Sequence, residues 1–313
     1  MDTEILQELK NIVTPERVVC KEPLSKHTTF KIGGPADYFV VTKTTEETAA
    51  VIHCCNQHDL PILMIGKGSN LLISDSGIRG VVLKQEDNPE EFYVSCSEEG
   101  YLVTGGAGMN LTVFAMKIAK ESLTGFEFAA GIPGSLGGAV YMNAGAYGGE
   151  IKDCIKSARV LTKEGEILSL NREELELSYR SSIIQKKGYY VIDATFLLQK
   201  GNRETILSRI EELNLARKEK QPLDYPSAGS TFKRPEGYFA GKLIMDAGLR
   251  GYQVGGAMVS EKHCGFVINT GNATAKDVLQ LIADVRCIVK EKFGVTLEPE
   301  VRLIGEEAKI NFH

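Results

Sequence analysis

The sequence has no surplus of basic residues, no long apolar run and no CxxC pair. Its 313 residues include 36 Lys and Arg against 41 Asp and Glu, a formal net charge of −5, so a surface for a nucleic-acid backbone or an anionic membrane is not expected. No apolar run approaches the roughly 18 residues that a membrane-spanning helix needs. The start, Met1-Asp2-Thr3-Glu4, is acidic where a signal peptide would be basic and then apolar. We therefore expect a folded cytoplasmic protein that binds neither nucleic acid nor membrane.

The cysteines also lack the pattern of a disulfide framework. There are 7 of them, irregularly spaced, so we predict reduced and partly buried thiols. The densest group of possible metal ligands is His53, Cys54, Cys55 and His58. The same segment has the i, i+3, i+4, i+7 spacing of a helix face in Thr48, Val51, Ile52 and Cys55. Since a helix would turn the four possible ligands in different directions, we predict no metal site.

Short strands and helices alternate over the first two-thirds of the chain and indicate an α+β fold. Strands are predicted at residues 38–41, 62–65, 71–74 and 81–84. A helix is predicted from Glu46, with Thr44 and Glu47 as a capping box. Between two later apolar runs, Lys163-Glu164-Gly165 is typical of a hairpin turn.

The last third is predicted to begin after a helix that covers about residues 202–219 and ends before Pro222. Its apolar positions are Ile206, Ile210 and Leu213. Further along, Thr274 at the start and Gly294 at the end predict a second long helix. The length of the chain is enough for about two domains of ordinary size.

Glycine is concentrated, with two rich loops. The first, Ile65-Gly66-Lys67-Gly68-Ser69-Asn70-Leu71, stands between two apolar strands. Its successive backbone N–H groups can form an anion-binding nest, to which Lys67, Ser69 and Asn70 can add donors. It is not a Rossmann fingerprint, because the third glycine is missing and no helix follows. Taken alone, it predicts a tight turn as readily as a phosphate site.

The second loop is Gly131-Ile132-Pro133-Gly134-Ser135-Leu136-Gly137-Gly138, and it leads into residues 139–148, which are also rich in small side chains. Small residues allow a backbone to lie flat against a diphosphate and a planar ring. Two such loops suit a long dinucleotide. The alternative is a closely packed glycine bend that holds no ligand.

Six motifs, in order over nearly the whole chain, resemble the UDP-N-acetylenolpyruvoylglucosamine reductase family. They are TTFKIGGPAD from Thr28, GKGSNLL from Gly66, GIPGSLGGAVYMNAGAYG from Gly131, SYRSS from Ser178, SAGSTFK from Ser227 and LEPEVR from Leu297. The resemblance implies a two-part FAD-binding region of the vanillyl-alcohol-oxidase type and a C-terminal α+β substrate-binding domain. The expected domains are residues 1–85, 86–203 and 204–313.

The family resemblance also implies a reaction. FAD would be bound non-covalently, and NADPH would reduce it. The enolpyruvyl ether of UDP-N-acetylglucosamine would then be reduced to UDP-N-acetylmuramate, a peptidoglycan precursor. Hydride addition to the vinyl carbon moves negative charge into the substrate carboxylate, so the site needs donors for an enediolate and a proton donor for the adjacent carbon.

By motif position, Ser230 is the expected proton donor, and Arg180 and Glu300 are the expected enolate stabilisers. Each also has a structural interpretation: a turn cap for Ser230, a surface salt bridge for Arg180 and a strand end for Glu300. The stretch between Arg180 and Ser230 is too short for the tyrosine-bearing substrate loop of one branch of the family. We therefore expect this chain to belong to the branch with the shorter loop.

Two further sets of residues follow from the resemblance. The expected cofactor-binding residues are Gly66, Lys67, Gly68, Ser69, Asn70, Leu71, Gly131, Ile132, Pro133, Gly134, Gly137, Gly138, Asn143, Ala144, Gly145 and Tyr147. The expected substrate-binding residues are Lys220, Lys233, Arg234, Lys262, His263 and Asn269. At position 234 many family members carry Asn instead of Arg.

Two alternative functions stay open, one with a different electron acceptor and one without catalysis. One is an FAD oxidase of the same fold that uses oxygen, and the other is a non-enzymatic nucleotide-sugar binding protein. The sequence contains no clear attachment site for a covalent flavin, which argues against the oxidase. The intact glycine loops argue against a protein that binds no flavin.

Overall fold

The computed structural model describes residues 3–305, which form two compact units that interleave along the chain. Unit 1 holds residues 3–20, 38–67 and 80–217, and unit 2 holds residues 21–37, 68–79 and 218–305. The passage from unit 1 to unit 2 after Arg217 lies near the end of the helix that was expected to mark a boundary. The three domain limits given above stay a prediction.

Within the described residues, helices and strands are short and mixed. The helices are α1 (Thr3–Ile12), α2 (Thr45–Gln57), α3 (Leu111–Lys120), α4 (Leu136–Tyr141), α5 (Ile151–Cys154), α6 (Ile183–Lys187), α7 (Arg203–Lys220), α8 (Ala240–Asp246) and α9 (Ala275–Phe293). The strands are β1 (Val18–Pro23), β2 (Pro35–Thr42), β3 (Ile62–Ile65), β4 (Leu71–Ile73), β5 (Ile78–Gln85), β6 (Phe92–Ser97), β7 (Gly100–Gly106), β8 (Leu123–Thr124), β9 (Gly145–Ala146), β10 (Gly149–Glu150), β11 (Ile155–Leu161), β12 (Ile167–Asn171), β13 (Tyr190–Lys200), β14 (Ser227–Ser230), β15 (Gln253–Val254), β16 (Ala257–Val259), β17 (Phe266–Asn269) and β18 (Arg302–Ile304).

Unit 1 is built on an antiparallel sheet of order β12-β11-β13-β7-β6, to which β8 adds by pairing with β13. The predicted hairpin is present, since β11 and β12 pair from Ser157↔Asn171 to Leu161↔Ile167. A second sheet has the order β1-β2-β5-β3, with β3 and β5 parallel. Two apolar clusters fill unit 1, one around Phe114 and Phe196 and one around Val51 and Val81.

Unit 2 contains an antiparallel sheet of order β14-β17-β16-β15 and a parallel pair of β18 with β4. Its apolar cluster joins Ile282 and Val285 of α9 to Val267 of β17 and to Phe30. The predicted start of α9 at Thr274 is confirmed. The structure adds a full capping box there: the Thr274 hydroxyl accepts from the Asp277 N–H, and the Asp277 carboxylate accepts from the Thr274 N–H. Gly294 ends the helix at φ +71, a left-handed conformation that favours glycine.

The start of α2 differs in part from the prediction. The Thr44 hydroxyl accepts from the Glu47 N–H at 3.2 Å, as expected of an N-cap. The Glu47 carboxylate, however, accepts from the Lys43 N–H at 2.7 Å and pairs with Arg17, so the predicted capping box is wrong in its second half. The Arg17 guanidinium is the main partner of this carboxylate. The predicted inner face is confirmed, with Thr48, Val51, Ile52 and Cys55 fully buried.

In residues 3–305 no helix has both the length and the apolar character needed to cross a membrane.

Candidate active site

In the first glycine-rich loop, which follows β3, close contacts inside the protein require glycine at two positions. A Cβ at Gly66 would overlap the Ser135 Oγ, so this glycine allows the first glycine-rich loop to touch the second. Gly68 has φ +62, and a Cβ there would overlap the carbonyl oxygen of His27. Room for a ligand is therefore not what requires glycine at either position.

Polar side chains of this loop are already bonded to the protein. Lys67 Nζ lies 2.6 Å from a carboxylate oxygen of Asp87, whose other oxygen accepts from the Asn110 N–H. Asn70 Nδ2 donates to the carbonyl oxygen of Glu300 at 3.2 Å. These two side chains fix the loop, and their predicted contacts with a cofactor stay predictions.

The backbone of the same loop offers donors. Among the described residues, no acceptor is found for the N–H groups of Lys67, Gly68 and Ser69. Successive N–H groups without protein acceptors can bind a phosphate oxygen. This part of the loop fits the diphosphate of a dinucleotide.

The second glycine-rich loop leads into the short helix α4. Ser135 caps it, since its hydroxyl accepts from the Gly138 N–H at 3.3 Å. A Cβ at Gly137 would lie 2.7 Å from the Ala107 Cβ, and a Cβ at Gly131 would overlap the guanidinium of Arg217. Close packing inside the protein accounts for these two glycines, and the predicted contacts of the loop with a cofactor stay predictions.

Asn143 connects this loop to the segment that carries Arg180. It is fully buried and has φ +44. Its Nδ2 donates to Glu150 Oε2 at 2.5 Å and to the Ser178 carbonyl oxygen at 3.1 Å, and its Oδ1 accepts from the Lys152 N–H at 2.9 Å. Both N–H groups of the amide are therefore used inside the protein, where they brace the segment that carries Arg180, and the predicted contact of Asn143 with a cofactor stays a prediction.

Arg180 lies in a tight turn. The backbones of Ser178 and Ser181 exchange two hydrogen bonds of 3.1 Å, which puts Tyr179 and Arg180 at the tip. Arg180 has φ +55, a left-handed conformation that is uncommon for a residue with a side chain. Its guanidinium lies 5.2 Å from the centroid of the Tyr179 ring. After the turn, Ser182 donates to the Tyr141 carbonyl oxygen at 2.7 Å and caps α6.

Ser230 ends strand β14 just after a bulge. Ser227 and Ser230 are three positions apart, whereas their partners Ile268 and Phe266 are two positions apart. Gly229 takes up the extra length at φ +76. A bulge re-aims the side chains next to it. Ser230 is half-buried, and within residues 3–305 its hydroxyl has no hydrogen-bond partner, so it does not cap a turn.

Glu300 and Ser230 are brought together within unit 2. The Glu300 N–H donates to the carbonyl oxygen of Thr231 at 2.8 Å, and Phe232 and Pro299 form a β-bridge. Residues 231–233 thus pair with residues 298–300, and Glu300 lies opposite the residue after Ser230. Arg180 belongs to unit 1.

The six expected substrate-binding residues differ in availability. Lys233 pairs with Glu298 at 3.1 Å, Arg234 stacks 4.0 Å from the Phe239 centroid, and Lys262 donates to the carbonyl oxygen of Lys218 at 2.7 Å. Lys220 is exposed. All four are basic residues at or near the surface of unit 2.

His263 and Asn269 are engaged in the fold. Burial lowers the pKa of His263, and its Nδ1 accepts from the Gly265 N–H at 3.0 Å, so the ring is neutral at pH 7 with its proton on Nε2. Asn269 is 4% exposed; its Nδ2 donates to the Phe30 carbonyl oxygen, and its Oδ1 accepts from two N–H groups, one of them of Gly271. The predicted contact of Asn269 with the substrate stays a prediction.

Three groups of metal-ligand type meet where α1 packs on α2. Ligand atoms of Glu8, Cys54 and His58 all lie within 4.8 Å of one another. The carboxylate of Glu8 lies 2.8 Å from His58 Nε2. The hydrogen bonds that it accepts from His58 and Cys54 lower the pKa of Glu8. Burial raises the pKa of Cys54 to about 12, so this residue is held as a thiol. The three groups are hydrogen-bonded to one another, and we assign no metal to them.

One buried basic residue beside the second glycine-rich loop is not among the residues predicted from the sequence. Arg217 continues the buried stripe Ile206, Ile210 and Leu213 of α7 at the next helical step and is 5% exposed. Its guanidinium lies over Gly131 and 5.4 Å from the centroid of the Tyr147 ring. The spacing itself was the available signal, because it puts a charge on an apolar face.

Comparison with known proteins identifies the family. A family model described as an FAD binding domain matches residues 36–171, and one described as the C-terminal domain of UDP-N-acetylenolpyruvoylglucosamine reductase matches residues 221–304. The UDP-N-acetylenolpyruvoylglucosamine reductase of Lachnoclostridium phytofermentans is 88% identical over 307 residues, which are 98% of this chain and 99% of the relative. The chain belongs to the UDP-N-acetylenolpyruvoylglucosamine reductase family.

More distant members agree over the same length. The reductase of Agathobacter rectalis is 55% identical over 293 residues, which are 91% of this chain and 93% of the relative. The crystal structure of UDP-N-acetylenolpyruvylglucosamine reductase from Thermus caldophilus superposes with a TM-score of 0.78 at 35% identity, covering 92% of this chain and 99% of that one. The predicted family, the α+β fold with an FAD-binding region and a C-terminal domain, and the oxidoreductase class are confirmed.

Proposed function

We propose that this protein uses FAD and NADPH to reduce the enolpyruvyl ether of UDP-N-acetylglucosamine to UDP-N-acetylmuramate. Membership of the reductase family supports the reaction. The observation that carries it is the pairing of residues 231–233 with residues 298–300, beside a Ser230 hydroxyl that bonds to no described residue. A cytoplasmic location stays a prediction.

When bound, FAD carries hydride from NADPH to the terminal vinyl carbon of the substrate. The chain's own residues then handle charge and proton. The planar guanidinium of Arg180 donates to the carboxylate in which negative charge collects, and Glu300 takes part in holding the enediolate. The Ser230 Oγ gives its proton to the adjacent carbon.

The residues around the site support this division of roles. The turn that carries Arg180 is braced by Asn143 and Ser182, so the guanidinium starts from a fixed backbone. The Ser230 hydroxyl has no acceptor in unit 2 that its proton would have to leave. The exposed ammonium groups of Lys220 and Lys262 are the candidates for the two substrate phosphates, because a protein of net charge −5 needs local cations there.

Anaerobic stopped-flow absorbance tests the proposal by following each half-reaction of the bound flavin separately. Reduction by NADPH needs no proton from Ser230, so Ser230→Ala is expected to bleach the flavin at a near-normal rate. Reoxidation by the enolpyruvyl substrate is expected to slow by about 10²–10⁴-fold, the usual contribution of general acid catalysis. Ser230→Cys is expected to recover part of the loss, since a thiol can donate.

Ser227→Ala is the matched control, because Ser227 lies in the same strand and its carbonyl, which the substitution keeps, bonds Thr29. Reoxidation of the Ser230→Ala protein at the parent rate would remove Ser230 from the mechanism. A parent protein reoxidised by oxygen and not by the enolpyruvyl substrate would favour the oxidase. A protein that purifies without flavin and takes up none would favour the non-enzymatic alternative.

A further inference from the structure

Arg217 is a buried charge without a complete set of partners. Its Nη1 is inaccessible to water and has no hydrogen-bond partner, and among the buried side-chain atoms of residues 3–305 it is alone in this. No carboxylate in the described part of the chain pairs with it, and its guanidinium lies over the ring of Tyr147. Burial lowers the pKa of Arg217. Buried guanidinium groups are ordinarily paired or hydrogen-bonded, so this one lacks an anionic partner.

The position of the Arg217 guanidinium indicates which anion could be its partner. It covers Gly131 at the start of the second glycine-rich loop so closely that only a hydrogen atom fits on the Gly131 Cα. Tyr147, at the end of the same small-residue segment, has φ +52 and presents its ring to the guanidinium. Both residues belong to the sequence expected to bind the cofactor, and all three lie in unit 1.

A role in folding alone does not account for Arg217. The rest of its helical stripe, Ile206, Ile210 and Leu213, is apolar and buried. Met at position 217 would continue the stripe and bury no charge. Replacing a buried unpaired charge by an apolar side chain of similar size is ordinarily neutral or stabilising. The retained charge therefore points to a ligand.

We propose that Arg217 donates a hydrogen bond to an anionic oxygen of bound FAD and rigidly seats Gly131 beside it; this rests on the FAD-dependent function proposed above. Two parts of FAD supply such an oxygen. One is the diphosphate, which is anionic in both redox states, and the other is the pyrimidine edge of the flavin ring, which gains negative charge on reduction. The two sources differ in what loss of Arg217 does to the reduction potential.

The test compares Arg217→Met, Arg217→Lys and the parent in FAD affinity, by flavin fluorescence on dilution of the loaded protein, and in midpoint potential, by dye equilibration. A charge-assisted hydrogen bond predicts that Arg217→Met weakens FAD binding by about 10- to 100-fold, with a smaller loss for Arg217→Lys, which keeps the charge without the planar fork. Arg209→Met on the exposed face of α7 is the matched control and is expected to bind FAD like the parent.

The midpoint potential of the bound flavin shows which oxygen of FAD is the partner of Arg217. If the flavin ring is the partner, a tenfold loss of preference for the reduced form lowers the midpoint potential by about 30 mV. If the diphosphate is the partner, the potential stays at the parent value while FAD binding weakens. Either result supports the proposal.

FAD affinity within twofold of the parent, at an unchanged potential, would overturn the proposal. So would a fall in the melting temperature of the flavin-free Arg217→Met protein, because it would show that the guanidinium serves the fold. FAD binding by the parent protein tests the proposed FAD-dependent function separately from the role of Arg217. If the parent binds FAD and the variants bind it equally well, only the role of Arg217 is contradicted.

Discussion

The buried side chain of Asn143 holds several backbone and side-chain groups together by hydrogen bonds. Asn143→Ala tests how much these bonds contribute to stability. The substitution removes three hydrogen bonds: to the Glu150 carboxylate, to the Ser178 carbonyl and from the Lys152 N–H. It also leaves Ala at φ +44, a conformation that Asn tolerates better than Ala.

The magnitude follows from these contacts. A buried hydrogen bond contributes about 1 kcal/mol, and Glu150 adds little beyond that because it is partly exposed and also pairs with Lys152 at 2.7 Å. The bonds therefore amount to about 3 kcal/mol, and the left-handed backbone adds about 1 kcal/mol for Ala. We expect the free energy of unfolding to fall by about 4 kcal/mol in Asn143→Ala and by about 3 kcal/mol in Asn143→Gly, which adopts positive φ freely.

Urea denaturation followed by circular dichroism measures both losses in the same buffer. Stopped-flow reoxidation provides the functional readout, because the turn that carries Arg180 loses the bond from Asn143 to Ser178. We expect reoxidation by the substrate to slow more than reduction by NADPH. A loss of stability under about 1 kcal/mol in Asn143→Ala would refute the reasoning, since the three bonds could not then be formed in the folded protein.

Two further substitutions test the turn and the first loop. Arg180→Lys is expected to lower turnover by at least tenfold while reduction by NADPH stays near normal, because an ammonium lacks the planar fork that binds a carboxylate; equal turnover in the two proteins would exclude Arg180 from the site. Gly68→Ala is expected to lower the melting temperature more than Gly237→Ala, because both glycines have positive φ, +62 and +73, but only at Gly68 would a Cβ overlap backbone, that of His27. Equal melting temperatures of the two variants would contradict the overlap.

Local features of the fold could be predicted because their causes are local. The Thr274–Asp277 capping box, the Gly294 terminus and the β11–β12 hairpin each depend on residues within one turn or one hairpin. The second half of the Thr44 capping box failed for the opposite reason. Arg17, some thirty residues earlier, competes for the Glu47 carboxylate, and nothing near Thr44 in the sequence indicates it.

The site depends mainly on contacts between distant residues. Ser230 lies near Glu300 because residues 231–233 pair with residues 298–300, a register that alternation of apolar residues in either segment does not specify. The interleaved units have the same origin, since β18 pairs in parallel with β4, far earlier in the chain. In contrast, Arg217 could have been predicted as buried, because the i, i+4, i+7 spacing from Ile206 to Leu213 extends to it.

Glycine shows how a correct functional prediction can rest on an incomplete physical reason. The small residues of the second loop are expected to let its backbone lie flat against a cofactor, yet the space beside Gly131 and Gly137, like that beside Gly66 and Gly68, is filled by protein atoms. The contact of Gly66 with Ser135 joins the two glycine-rich loops within unit 1, and Ser135 in turn fixes the start of α4. Loops held by such contacts lose little conformational entropy when a ligand binds, and this lowers the free-energy cost of binding. Glycine thus holds the loops in place through contacts within the protein, and in our proposal the free backbone N–H groups and the Arg217 guanidinium are what binds the cofactor.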